Sequence, residues 1–405
     1  MSTRVWPFAA DWGREVRISY EFSTEVITSE NGKEQRIANR TAPRMKVEFE
    51  SLVPEFEFQV AAAKLHGQQN QEMLLPDWTR HVYLKEEAAV GSQALPVTRY
   101  AGWMREGMVV AVVWQGELGA QAIEVVVDAY DAILGLQLLA PITVDLPRDA
   151  FVCRTWPGRL DMKIAGRMHN DRVMTVSTRF DVEPTMENFP AAPAAPITYS
   201  GRELFLIEPD WSSDLRLDFE TVMNVLDYGK GRVHRTTPVP FNTRMLQATY
   251  FLPSRTEITA MRDFFRRLRG QQGEFFMPTF TEDMRLRVDA DIEASNIRLV
   301  GTHAHGMFNA SAVLKNIAIV YADGEIDCYG ISNAVQLDDA TGKDSRFTLD
   351  RPLDRAATRK DVAMICWLPL WRMLSDELVE VWTSDEVATV GLSMKTLETL
   401  PAEVL

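Results

Sequence analysis

The chain has 405 residues, 46% hydrophobic and 25% charged, and its 43 basic against 57 acidic side chains give a formal net charge of −14. That length exceeds what one hydrophobic core usually serves, whereas two units of roughly 200 residues would each bury a good core. The acidic balance argues against a general nucleic-acid or anionic-membrane binder, since both need clustered Lys and Arg, and three widely spaced cysteines, Cys153, Cys328 and Cys366, make neither a disulfide framework nor a metal cage.

The opening residues, MSTRVWPF, lack the apolar core of a signal peptide, and no apolar run reaches membrane-spanning length, so synthesis in the cytoplasm and no membrane partner are expected. Val16, Ile18, Tyr20 and Phe22 alternate with Arg17, Ser19 and Glu21, the pattern of a half-buried antiparallel strand. Asn31-Gly32 supplies a tight turn, and Arg44 to Glu50 resumes the alternation. A helix is predicted after Pro54, with Val60, Ala61 and Leu65 on one face and Gly67 at its end. Met108 to Trp114 and Ala122 to Val127 are rich in Val, Ile and aromatics and predict strands. Glu183 to Thr198 contains Pro184, Pro190, Pro193 and Pro196, which fix φ and remove donors, so it reads as an extended connector. A second helix is predicted after Pro253-Ser254, where Glu257 gives a capping-box spacing and Ile258, Met261, Phe265 and Leu268 share a face up to Gly270. Ala312 to Tyr321 and Val362 to Leu368 again predict strands.

These elements occur twice. Asp11-Trp12 and the alternating run after it are matched by Asp210-Trp211 with Leu215, Leu217 and Phe219. Gly67-Gln68-Gln69, Pro76 and Leu84 are matched by Gly270-Gln271-Gln272, Pro278 and Leu286, and Cys153 by Cys366. The expected fold is therefore mainly β (α+β): two tandem homologous β-sandwich or barrel domains, each with one principal helix. The expected boundaries are 1–183 and 199–405, with 184–198 as a Pro/Ala-rich linker. Trp12 and Trp211, each preceding an alternating strand, are expected to anchor cores.

The succession of alternating strand, Asn31-Gly32-Lys33-Glu34-Gln35-Arg36, Pro43-Arg44, helix, Gly67-Gln68-Gln69 and Leu75-Pro76-Asp77-Trp78 resembles the distal tail and baseplate proteins of long-tailed bacteriophages. The second half shares the framework through Gly231, Arg235 and Arg244, with Phe264-Phe265-Arg266-Arg267-Leu268-Arg269-Gly270 and Phe276-Met277-Pro278 nearer still. It departs where Glu34-Gln35-Arg36 becomes Val233-His234-Arg235, so any contact of Glu34 is in doubt in the second half. The resemblance implies a tail-tip ring that joins the tail tube above to hub and fibre proteins below, with DNA passing through unbound. Its location would be the virion. The candidate framework or inter-subunit residues are Trp12, Gly32, Glu34, Arg36, Arg44, Trp211, Gly231, Arg235 and Arg244. Gly32 and Gly231 suit positive φ in a turn, while Arg36 and Arg44 suit either a carboxylate of their own domain or one of a neighbour.

No phosphate-cradling Gly-x-x-x-x-Gly-Lys, Gly-x-Ser-x-Gly, Cys-x-x-Cys or His-Glu-x-x-His is present, and no catalytic residue, metal or cofactor is expected. His303-Ala304-His305 reads as a polar loop. Asp289, Asp291 and Glu293 imitate a calcium loop that fails at Ala294 and Val300. The acids of Glu124 to Asp131 lie in a strand-like run. The expectation is a structural, non-enzymatic tail-tip component that assembles with itself, as a trimer presenting six similar units or as a hexamer. A receptor- or glycan-binding baseplate module, with Trp103, Trp114 and Tyr100 as its aromatic surface, is the alternative, and a cell-wall hydrolase the third.

Overall fold

The computed structural model describes residues 4–398 apart from 31, 55–56, 61, 64–70, 117–118, 162–164, 171, 184–195, 238, 240–241 and 340–341. Asn31, the Gly67-Gln68-Gln69 end of the first predicted helix and most of the Pro-rich connector thus lie outside the described residues. The protein is mainly β, with 51% of residues in strands and 9% in helices. No helix among the described residues is long and apolar enough to cross a membrane.

The first half runs β1 (Val16–Glu21), β2 (Thr24–Thr28), β3 (Glu34–Ala38), β4 (Arg44–Pro54), β5 (Met73–Tyr83), β6 (Ala94–Leu95), β7 (Val109–Gly116), β8 (Gly119–Asp131), β9 (Gly135–Leu138), β10 (Phe151–Leu160), β11 (Ala165–Met168) and β12 (Val173–Val182). After Pro54 the chain is helical at 57–60. The second half runs β13 (Thr198–Tyr199), β14 (Arg202–Leu204), β15 (Arg216–Glu220), β16 (Asn224–Leu226), β17 (His234–Thr236), β18 (Thr243–Leu252), α1 (Arg255–Leu268) and β19 (Phe275–Phe276). It continues with β20 (Asn296–Val300), α2 (His303–Ala310), β21 (Asn316–Tyr321), β22 (Ile326–Asp339), β23 (Gly342–Leu349), β24 (Val362–Trp367), β25 (Leu370–Met373), β26 (Glu377–Trp382) and β27 (Ala388–Thr396).

Strand pairing follows one order in both halves. Ile18 faces Val47 and Val47 faces Phe180 across β1, β4 and β12; Leu217 faces Leu246 and Leu246 faces Met394 across β15, β18 and β27. The first two pairs are displaced identically along the chain (217 − 18 and 246 − 47, both 199). Met73, Gly158 and Val182 form a row across β5, β10 and β12, and Phe275, Trp371 and Thr396 form its counterpart across β19, β25 and β27. Even the parallel bridge of Val5 to Leu74 has a partner in Leu204 beside Phe276. A one-residue slip would turn every apolar side chain to the other face, so registers of this kind are fixed by burial.

The halves meet edge to edge. β1 pairs with β4 on one side and with β26 on the other, from Val16 opposite Trp382 to Glu21 opposite Glu377. One core cluster accordingly contains residues of both halves, among them Ile18, Tyr20, Phe180, Tyr250, Phe265 and Trp371. Besides a small cluster of Phe276, Ala318, Cys328, Leu368 and Leu370, two satellite cores lie outside it, one within 82–152 and one within 284–367. Each is enclosed by strands inserted at the same place, between β5 and β10 or between β19 and β25.

Helix α1 forms as its sequence dictates. Ser254 sits in extended conformation and its hydroxyl accepts from the Glu257 amide, while Ile258, Met261, Phe264, Phe265 and Leu268 are buried. It ends where Arg269 and Gly270 take positive φ. Gly270 is required twice over, because a Cβ there would also stand 2.4 Å from an Asp376 carboxylate oxygen. Two expectations are corrected here. His303-Ala304-His305 is not a loop but the start of α2, because burial of Ala304 in the second satellite core outweighs the weak helix propensity of Gly306 and Asn309. Trp211 is not a core anchor: it is half exposed, with its indole donating to Glu208 at 2.7 Å, because the face that covers this region in the first half is missing in the second.

All three cysteines are free and buried, and burial raises each thiol, Cys328 and Cys366 to about 12. Thiolate is the reactive form, so the native protein should leave a thiol reagent almost untouched at neutral pH. Three equivalents should react on unfolding without reductant; early reaction of any cysteine would contradict this packing.

Candidate inter-unit interface

Three of the nine sequence-derived candidates, Gly32, Glu34 and Arg36, lie at the junction between the halves. Beneath the β1–β26 ladder, α1 aims Arg262 at Glu380, a fully buried carboxylate of β26, with Nε to Oε1 at 2.8 Å and Nη2 to Oε2 at 2.7 Å. Trp382 donates to the same carboxylate at 3.1 Å. Tyr20 of β1 closes the arrangement from the first half, with the Arg262 guanidinium 5.0 Å from its ring centre. Burial alone would lower the Arg262 pKa, but Glu380 more than reverses this, so the arginine stays charged. Burial raises the Tyr20 phenol, which stays neutral. Phe22 packs on Phe265 of α1 at 5.6 Å between ring centres.

One residue, Asp376, ties the strand end to the helix end. Its carbonyl accepts from Phe22 at 2.8 Å, and its carboxylate accepts from the Thr24 and Gln271 amides. The β2–β3 hairpin then folds over the second half. Glu34 is nearly inaccessible and bidentate to Arg372, at 2.6 and 3.0 Å, and it also binds Lys395. Arg372 continues to Gln271 at 3.2 Å and to the Met373 carbonyl at 2.7 Å. Arg36 binds Glu274, which Arg202 holds from its other oxygen at 3.0 Å. Gly32, at φ 82°, lies so close to Val239 that a Cβ would stand 2.9 Å from a methyl group. Asymmetry between the halves is thus built from charged hydrogen bonds on a shared ladder.

The remaining candidates stand apart. Trp12 is half-buried against the shared core. Arg44 is exposed in β4 opposite Glu21, whose carboxyl is held below its usual range by Lys46 first and by Arg40 and Arg44 after it. In the second half, Arg244 lies 5.4 Å from the Phe219 ring, and its amide donates to Thr396. Gly231 has φ 89° with nothing near it, and Arg235 is exposed in a hairpin whose strands pair only with each other among the described residues. The first hairpin therefore contacts the other half of its own chain, whereas the strands of the second pair only with each other among the described residues.

Arg262, Arg372, Glu274, Asp376 and Glu380 were missed by sequence reasoning. A signal for Glu380 did exist: Leu378, Glu380 and Trp382 share the inward face of β26, so a carboxylate stands on an apolar alternation. Such a position requires a buried partner. The acids of β8 are tied elsewhere, Glu124 to Arg4 at 2.7 Å and Asp131 to the amides of its own turn. His303 bonds the Asp283 carbonyl and His305 bonds Asn309. Among the described residues no group of three or more His, Cys, Asp or Glu is placed to hold a metal ion. Compared with known proteins, the sequence matches no protein-family model and no curated protein.

Glu34 allows a direct test of the interface. Burial alone would raise its pKa, but the hydrogen bonds from Arg372 and Lys395 outweigh that and hold the carboxyl below its usual range. A depressed carboxylate contributes stability that is complete above the ordinary glutamate pKa and lost as pH falls through the depressed one. Glu34→Gln should cost about 3 kcal/mol near neutral pH, because it leaves Arg372 buried without its counter-charge. The difference between wild type and variant in urea midpoint should shrink on acidification; a difference independent of pH would show that the carboxylate charge is not what matters.

Proposed function

We propose that the chain is a tandem duplicate of one β domain and a structural component of a bacteriophage tail tip, where it forms part of a ring joining the tail tube to the hub and fibres. What supports this is the repeated strand order laid side by side: two like units already share one ladder at β1–β26, which is how the wall of a ring is made from repeated segments. The tail-tip setting comes from the resemblance of the Gly32-to-Arg36 hairpin and its surroundings to distal tail proteins. The hairpin's role in the junction gives those framework residues a physical use. Within such a ring, the net charge of −14 would weaken non-specific contact with the DNA that passes through. Function here is positional and needs no chemistry.

Three chains would present six similar units, giving exact three-fold and approximate six-fold symmetry, and the halves would differ because they face different neighbours. Six chains with one half in the annulus is the competing arrangement. Imaging of intact tails with a labelled chain decides both points. Label at the tip with three chains in one ring is expected. Label elsewhere on the particle would refute the tail-tip role, while six chains, or halves at different radii, would refute the arrangement.

A second reading is favoured by one cleft of about 720 Å³, lined by Tyr100, Trp103, Arg80, Arg99, Arg105 and Arg255, which suits an acidic glycan. Of the aromatic residues expected there, Trp114 is buried in the first satellite core instead. A glycan array that detects binding abolished by Arg99→Glu with Arg105→Glu would favour this receptor-binding role.

A further inference from the structure

The contact that closes the junction inside the chain is available again, unused, at both outer ends. In the first half Val16, Ile18 and Tyr20 are at most 3% exposed, because β26 and α1 cover β1. At the equivalent positions of the second half, Leu217 is 48% and Phe219 61% exposed, and β15 pairs with β18 alone among the described residues. The hairpin that follows exposes Val225, Leu226 and Tyr228. At the other end, β11 stands where β26 stands in the second half: it pairs with β12 as β26 pairs with β27, all four of its residues are exposed, and its outer edge has no strand beside it among the described residues. An open edge with apolar side chains on one face is a template for another strand.

We propose that β15 and the β16–β17 hairpin of one chain dock on the β11 edge of a second copy of this chain, repeating between chains the β1–β26 contact made within one. This deepens the ring reading and rests on it only for the number of copies. The intrachain register specifies the interchain one. Ser19 faces Val379, and the equivalent residues are Asp218 and Ala165, so Asp218 of one chain lies opposite Ala165 of the next. Arg36 binds Glu274; the equivalents are Arg235, which is exposed, and Glu72, half exposed and paired with Arg4 at 3.5 Å. One complementary charge pair therefore recurs across the new contact.

The cluster around Glu34 does not recur. Val233 takes the place of Glu34, while Arg159 and Asp181 take those of Arg372 and Lys395, and Arg159 is already bound to Glu183 at 3.2 Å. Arg216 would face Arg167, but Asp218 holds it at 2.9 Å. The interchain contact is accordingly more apolar and weaker than the intrachain one, as a separable interface between folded copies requires. A second copy fits better than an unrelated partner, because donor and acceptor edges lie on the same chain in matching register. Such a head-to-tail contact closes into a ring when its rotation allows.

Sedimentation velocity and cysteine cross-linking of the full chain test this together. Wild type should associate as its concentration rises through the micromolar range. Phe219→Lys, at an exposed position and with the fold checked by circular dichroism, should weaken association by at least about tenfold. Leu217→Lys should act alike, and Glu72→Arg should be partly rescued by Arg235→Glu in the same chain. When an Asp218→Cys chain is mixed with an Ala165→Cys chain, oxidation should join those two residues between chains. Association that survives Phe219→Lys and gives no such cross-link would overturn the interface and leave the tail-tip reading intact. A chain that stays monomeric and uncross-linked at the highest soluble concentration would overturn the interface as well. Failure of the tail-tip reading shows separately, as label absent from the tip of intact tails.

Discussion

At the centre of the junction the halves enclose a buried ion pair, Arg262 with Glu380, whose guanidinium Tyr20 of the first half covers. Removing that carboxylate and the Arg262 guanidinium from water is expensive, and their attraction repays it only because Arg262 is bidentate and Trp382 supplies a further donor. The pair is therefore better understood as a specifier of register than as a source of net stability. With β1 in register, Tyr20 covers the guanidinium; slipped by one residue, Ser19 or Glu21 would take its place, and the charge would lose its aromatic cover. The first half is held at one position along β26 for this reason, and the hairpin above it brings Glu34 to Arg372 only in that position.

The shared core and the two larger satellite cores divide the labour. The shared core contains the repeated strands and α1, so it cannot change in one half without consequence for the other. The satellite cores bury their own apolar residues, and the strands around them differ, β6 to β9 in the first half and β20 to β24 with α2 in the second. An insertion with its own core adds surface while leaving the framework's registers undisturbed. The arginine-rich cleft beside Tyr100 and Trp103 borders the first of these insertions, with Arg80 and Arg255 of the framework completing its wall.

The junction also explains why equivalent residues have such different surroundings. Ile18 and Leu217 occupy the same place in the same strand order, yet one is sealed and the other half exposed. A Cβ on Gly32 would meet Val239, whereas one on Gly231 would meet open space. The difference lies in the strand edge, since β26 lies beside β1 while β15 pairs with β18 alone among the described residues.

Much of the framework was legible in the sequence because it depends on short-range rules. Period-two alternation gave β1 and β4, Val-rich composition gave the Met108 to Trp114 strand, and Ser254 and Glu257 placed the start of α1; the 199-residue spacing of Trp12 and Trp211 equals the displacement between the β1–β4 and β15–β18 registers. Glu34 and Arg36 were legible as candidates only through the resemblance of their hairpin, which left open whether Arg36 pairs within its own domain or with a neighbour. Their partners were not. Arg372 and Glu274 lie more than 200 residues away, and nothing local separates a charge that faces water from one that faces a distant strand edge. The same limit undid the expectations for Trp211 and for His303-Ala304-His305. Alternation and capping are properties of neighbouring residues, so the sequence by itself determined the mainly β character and the strands and helix start it marks. Which edges close and which stay open depends on surfaces that meet only when the chain is folded, and that was decided by the tertiary structure alone.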